Sequence, residues 1–223
     1  MTASVADSVT SGAAPSVWRV WPSRVHALGS VRVDLVSVLF LFAVCVIQLV
    51  IYVGYPINPF THATGGWEGW WDQSQYLMSA RALAAGRLAA SNHWYPLGYP
   101  MLGAPFAALG ARDPFLLPNL VAILVFAGAY LAFFRPLIGA PAAIAAFFGA
   151  MLLPVAWLTP YDVRHIIWLQ FVIPWSTIPV AAMYMSMLLL LKTLRGRDAL
   201  WKDAALGALA AAVVVTRPVE IVT

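Results

Sequence analysis

The chain has 223 residues, of which 62% are hydrophobic and 10% charged, with a formal net charge of +4 and a mean hydropathy of +0.81. That balance excludes a soluble domain of average composition. The basic residues sit in short clusters beside apolar runs, not in a stripe interleaved with aromatics, which argues against a nucleic-acid partner, and the single cysteine, Cys45, excludes a disulfide framework.

Residues 1–34 are rich in Ser, Ala and Val, with Arg19, Arg24 and Arg32 ahead of the first apolar run. Positive-inside topology places this segment in the cytoplasm. The run at 35–53 is too long for a signal-peptide core and, at about 20 residues, long enough to cross a hydrocarbon layer. It closes on Tyr52, Tyr55 and Pro56. Residues 54–114 then form an outer loop too long to be a connector. Within it Tyr76, Leu77, Ala80, Leu83 and Ala84 recur at helical spacing, and Gly86 is placed to stop the helix. On such an amphipathic surface helix Arg81 and Arg87 reach lipid phosphates. Tyr95-Pro-Leu-Gly-Tyr-Pro brings the chain back toward the bilayer.

Further spans are expected at 115–134 and 140–158, joined by a short basic turn at Arg135 and Pro136. A small polar loop at 161–165 follows, then an apolar stretch at 166–191 that Pro174 and Pro179 kink. Lys192, Arg195, Arg197 and Lys202 mark a return to the cytoplasm. The fifth apolar segment, 204–215, covers only about 18 Å and stops at Arg217 and Pro218. It is too short to cross, and the apolar end of the chain leads us to expect the architecture to continue beyond Thr223. The fold class is therefore all-α: a polytopic transmembrane bundle over 35–223, with about five hydrophobic segments and a long extracytoplasmic first loop carrying a short amphipathic helix.

This topology puts two acid-bearing loops, 54–114 and 159–165, on one outer face. Asp72 and Gln75 have the spacing of a capping box, yet an exposed polar loop is also where function concentrates. Glu68 reads as a second acid, as an acceptor-binding group or as a solvated carboxylate. His62 and His93 lack metal-ligand spacing and suit interfacial hydrogen bonding. Trp67, Trp70 and Trp71 fit a membrane-interface belt, or a surface that stacks on a sugar or a polyprenyl chain. Asp162, Arg164 and His165 combine an acid, a fixed cation and a titratable base; Arg164 matches phosphate geometry, or simply pairs with Asp162. Arg217, at the end of a half-length helix, is costly unless it faces a polar cavity or partner. It binds a lipid phosphate or snorkels to the interface.

A basic-led span, an acid ahead of Tyr-(x)3-Ala-(x)5-Gly (Asp72, Tyr76, Ala80, Gly86), Tyr-Pro-x-Gly-Tyr-Pro from Tyr95, and a helix ending Thr216-Arg-Pro218 together resemble the GT-C superfamily of polytopic glycosyltransferases. Protein O-mannosyltransferases and aminoarabinose transferases belong to it, and the likeness extends over about residues 35–218, the N-terminal part of such a protein. The resemblance implies transfer of a sugar from a polyprenyl-phosphate donor to an acceptor outside the bilayer, in a bacterial plasma membrane. Asp72 matches the first-loop catalytic acid and would act as general base; Glu68, Tyr76, Arg81, Tyr95, Asp162, Arg164, His165 and Arg217 are the candidate substrate-binding residues. Where many members carry a second adjacent acid this chain has Gln73, so no cofactor is implied and dependence on a divalent metal stays open. Two other classes compete: a transporter or flippase segment, for which broken helices are also expected, and a non-catalytic, truncated membrane protein.

Overall fold

The computed structural model describes residues 34–55, 71–158, 167–194 and 200–217, all within the unit Val33–Thr223. Among them the chain is all-α, with seven α-helices and no strand: α1 Leu35–Gly54, α2 Trp71–Ala84, α3 Gly98–Ala108, α4 Leu116–Ile138, α5 Ala140–Leu158, α6 Thr177–Leu194 and α7 Leu200–Thr216. Two of them, α1 and α4, are long and apolar enough to cross a membrane.

Helix α1 starts where Asp34 accepts hydrogen bonds from the Ser37 amide (2.9 Å) and hydroxyl (2.8 Å), satisfying an otherwise orphaned donor. Phe40, Val44, Gln48 and Tyr52 recur every fourth residue and form its single buried stripe. Leu39, Phe42, Val46, Val50 and Val53 point outward and stay exposed. Helix α2 ends in a Schellman motif: Gly86 adopts φ 70°, its amide donates to the Leu83 carbonyl, and the Arg87 amide donates to Ala82.

Pro-Leu-Gly-Tyr-Pro reads as a turn, yet it opens helix α3. Pro100 falls in its first turn, where no amide donor is required. Helix α4 runs past the expected end at residue 134 and carries Pro136 in its last turn; only Gly139, at φ 83°, separates it from α5. Pro174 breaks the next apolar stretch outright where a kink was expected. A 3-10 turn at Ile167–Phe171 precedes the break, and Pro179 sits harmlessly in the first turn of α6. Helix α7 has 17 residues and is longer than its apolar part.

Helix α4 packs against α1, α5 and α6; α7 lies on α6, α2 on α3, and α3 meets α7. The polar contacts fix directions. Arg135 pairs with Asp34 at 2.5 Å, while Tyr52 donates to Asp113 at 2.7 Å, so α1 and α4 are antiparallel. Lys192 donates to the Phe133 carbonyl and Asn119 to Ile173 at 3.2 Å, which makes α4 and α6 parallel. One end of the bundle therefore carries Asp34, Arg135 and Lys192. The other carries Tyr52, Asp113, Asn119, α2, α3 and residues 173–177.

The core between these ends is aromatic. Phe147 meets Phe40 edge-on at 5.2 Å, and Phe148 stacks on Trp168 at 6.0 Å. Gln48, the one amide in α1, donates to the Phe171 carbonyl at 2.6 Å and accepts the Trp168 indole N–H at 2.8 Å. That pairing lets a fully buried polar side chain persist there.

Candidate functional site

Asp72 lies in the first turn of α2, which already begins at Trp71, so it is not the cap that its spacing to Gln75 suggested. Its carboxylate accepts a hydrogen bond from the Tyr95 hydroxyl. That bond, followed by partial desolvation, pushes the Tyr95 phenol up to about 12, so Tyr95 keeps its proton and remains a donor at neutral pH.

Tyr76, one turn after Asp72, is buried, and its ring stacks on that of Tyr95 at 4.8 Å. Its hydroxyl donates to Ser176 at 3.3 Å. Burial raises the Tyr76 phenol, against the lowering effect of its bond to Ser176, with smaller opposed effects from the Asp72 and Arg217 charges. Arg217 donates to the Thr177 hydroxyl at 3.2 Å, and Thr177 is the first residue of α6. Asp72, Tyr76 and Tyr95 from the long loop are thus joined with Ser176, Thr177 and Arg217 at one end of the bundle.

The junction depends on Tyr99, which is fully buried. Its ring meets Tyr76 edge-on at 5.0 Å and stacks on Phe115 at 4.4 Å. Its hydroxyl donates to Asn119 at 2.9 Å and accepts the Trp175 amide at 3.1 Å. Burial holds this phenol well above its ordinary value, so it too stays protonated. Glycines allow the close approaches. A Cβ on Gly103 would lie 2.7 Å from the Phe115 ring, and one on Gly98 would lie 2.6 Å from the Thr216 hydroxyl and 2.8 Å from the Thr216 backbone.

Of the other residues singled out in the sequence, Arg81 lies in the last turn of α2, about 13 Å along the helix from Asp72 and on its opposite face, so it is not brought to the cluster. Glu68, Asp162, Arg164, His165, His62, Trp67 and Trp70 lie outside the described residues. His93 is tied internally, to Ser79 at 2.6 Å and to the Arg87 carbonyl at 3.0 Å, and so holds the segment before Tyr95 against α2. Ser176, Thr177, Tyr99 and Asn119 were missed. The only available hint was a Ser-Thr pair between two prolines, which is a helix start after a break.

Chemically the cluster offers a carboxylate held by a phenol, two hydroxyls at a helix N-terminus and a guanidinium, a set suited to a hydroxyl and a phosphate. Among the described residues no group of three or more His, Cys, Asp or Glu side chains is arranged to hold a metal ion. Comparison with protein-family models, with curated proteins and with solved structures returns no match.

Proposed function

We propose that the chain is a polytopic membrane glycosyltransferase of the GT-C type, moving a sugar from a polyprenyl-phosphate donor to an acceptor hydroxyl on the outer face of a bacterial plasma membrane. What supports this reading is that Asp72, linked through Tyr95 and Tyr76 to Ser176, and Arg217, bonded to the adjacent Thr177, belong to one junction although 145 positions separate them in the sequence. Tyr52, α2, α3, residues 173–177 and the end of α7 share one end of the bundle, which suits a long loop and a helix end on a common outer face; the second acid-bearing loop, 159–165, lies outside the described residues. Asp34, Arg135 and Lys192 share the other, which suits a cytoplasmic N-terminus. The outward-facing apolar residues of α1 and α4 suit a hydrocarbon solvent.

In this mechanism Asp72 takes the proton of the acceptor hydroxyl as its oxygen forms the new bond to the anomeric carbon. The bond from that carbon to the phosphate oxygen breaks, and the phosphate leaves with the electron pair. Arg217 and the α6 N-terminus with Thr177 offset the charge that develops on it. Tyr95 orients the carboxylate. A transporter would place its polar groups near mid-bilayer, whereas here they gather at an end.

The test is transfer of isotope-labelled sugar from a polyprenyl-phosphate donor by the purified chain and by Asp72→Asn. A general base contributes about 10²–10⁴-fold, so the variant should lose at least about a hundredfold in rate. Equal rates would remove Asp72 from the mechanism.

A further inference from the structure

Beside the Asp72–Tyr95 pair stand two indoles that no step above uses. Trp71 immediately precedes Asp72 in α2, and Trp94 immediately precedes Tyr95. The bond between carboxylate and phenol holds the two segments together. The indoles meet edge-to-face, with centroids 5.8 Å apart and planes at 79°. They are also exposed, at 63% for Trp71 and 68% for Trp94.

We propose that this corner is a saccharide-stacking subsite that holds a pyranose ring against Asp72; the proposal rests on the transferase reading for its choice of a sugar. A pyranose has a C–H face and a rim of hydroxyls. The face needs a flat aromatic surface, which an exposed indole supplies at little entropic cost because it is already fixed by its neighbour. The rim needs an acceptor. Among the described residues Tyr95 is the only hydrogen-bond partner of Asp72, and a carboxylate accepts several bonds. A membrane interface is the competing occupant of exposed indoles, but anionic headgroups repel a carboxylate flanked by them, while a neutral sugar does not.

The experiment uses the whole chain in phosphatidylcholine nanodiscs. Saturation-transfer NMR with methyl α-mannopyranoside, methyl β-galactopyranoside and methyl β-arabinopyranoside reads ring C–H contact directly. At least one glycoside should show it, with affinity falling about tenfold in Trp94→Ala and largely restored in Trp94→Phe, the size expected for one lost aromatic contact. Unchanged binding in Trp94→Ala, or no binding of any glycoside, overturns the subsite. So does a loss of quenching by brominated lipid in the double variant Trp71→Ala, Trp94→Ala while glycoside binding persists, because that assigns the corner to the bilayer. Labelled-sugar transfer separates the two claims. Trp94-dependent glycoside binding by a chain that transfers nothing supports the subsite and removes the transferase reading, whereas transfer with both donor and acceptor KM unaltered in Trp94→Ala removes the subsite alone.

Discussion

Gly98→Ala tests how the long loop and the C-terminal helix are registered. The added Cβ would stand 2.6 Å from the Thr216 hydroxyl and 2.8 Å from its backbone N and Cα, against 3.4 Å for ordinary contact. The hydroxyl can rotate away, but the backbone atoms cannot, so the α7 terminus must retreat by about 0.6 Å, an overpacking that costs about 1–3 kcal/mol. Thr216 is buried and Arg217 follows it directly. A retreat of that size carries the Arg217 backbone with it and disturbs its 3.2 Å bond to Thr177. Since misplacement by about 1 Å can cost a hundredfold in rate, a drop of about tenfold or more in sugar transfer is expected. Thermal unfolding in detergent reads the stability change, and labelled-sugar transfer reads the site. Gly207→Ala is the matched control on the same helix, because nothing lies within 4 Å of its Cβ position; it should be neutral or slightly stabilising. The reasoning fails if Gly98→Ala unfolds at the parent temperature and transfers at the parent rate, or if the two variants behave alike.

Arg217→Leu should weaken donor-lipid binding by about tenfold or more, the worth of one charge-assisted hydrogen bond, at unchanged expression; equal donor affinity in a direct binding assay counts against the phosphate role. Gln48→Leu leaves the Phe171 carbonyl and the Trp168 indole N–H without the partner they have now, at about 1–3 kcal/mol for each, so the melting temperature should fall by several degrees. The Asp34 carboxyl is held well below the ordinary aspartate value of 3.8 by its hydrogen bond to Arg135 and by the Ser37 amide and hydroxyl. A depressed pKa contributes stability that is present above 3.8 and fades as pH falls below it. The difference in unfolding temperature between parent and Asp34→Asn should therefore be constant near neutrality and shrink below pH 3.8; a gap that widens with acid would contradict the pairing.

The helices were legible where length and composition alone decide them. The apolar run before Thr159 gives α5 the bounds Ala140–Leu158, and Gly86 ends α2 because a glycine at positive φ closes its carbonyls. Reading failed where tertiary packing overrode a local signal. Pro136 reads as a terminator, yet α4 continues to Ile138, and Tyr-Pro-Leu-Gly-Tyr-Pro reads as a return loop, although Pro100 suits a helix start. In the site, the spacing of Asp72 to Tyr76 shows one helix face and the motif at Tyr95 marks a second strand of chain. Their junction with Arg217 is invisible in the sequence, because it depends on Gly98 admitting Thr216, a long-range contact with no local periodicity.

Tyr99 explains why the site forms at an end of the bundle and not within it. Its ring is shared between Tyr76 of the loop and Phe115 ahead of α4, while its hydroxyl spans Asn119 and the Trp175 amide. One side chain therefore joins three segments that have no helix in common. The Trp175 amide is a donor left over ahead of the start of α6, and Asn119 in the first turn of α4 adds a side-chain acceptor. The same economy of backbone hydrogen bonds that keeps most of α1 and α4 apolar concentrates donors and acceptors toward their ends, with Gln48 admitted inside α1 by its bonds to Phe171 and Trp168. There, Tyr76 bonds Ser176, Arg217 bonds Thr177 and Tyr95 bonds Asp72 beside stacked aromatic rings, so the fold itself holds these polar groups in place.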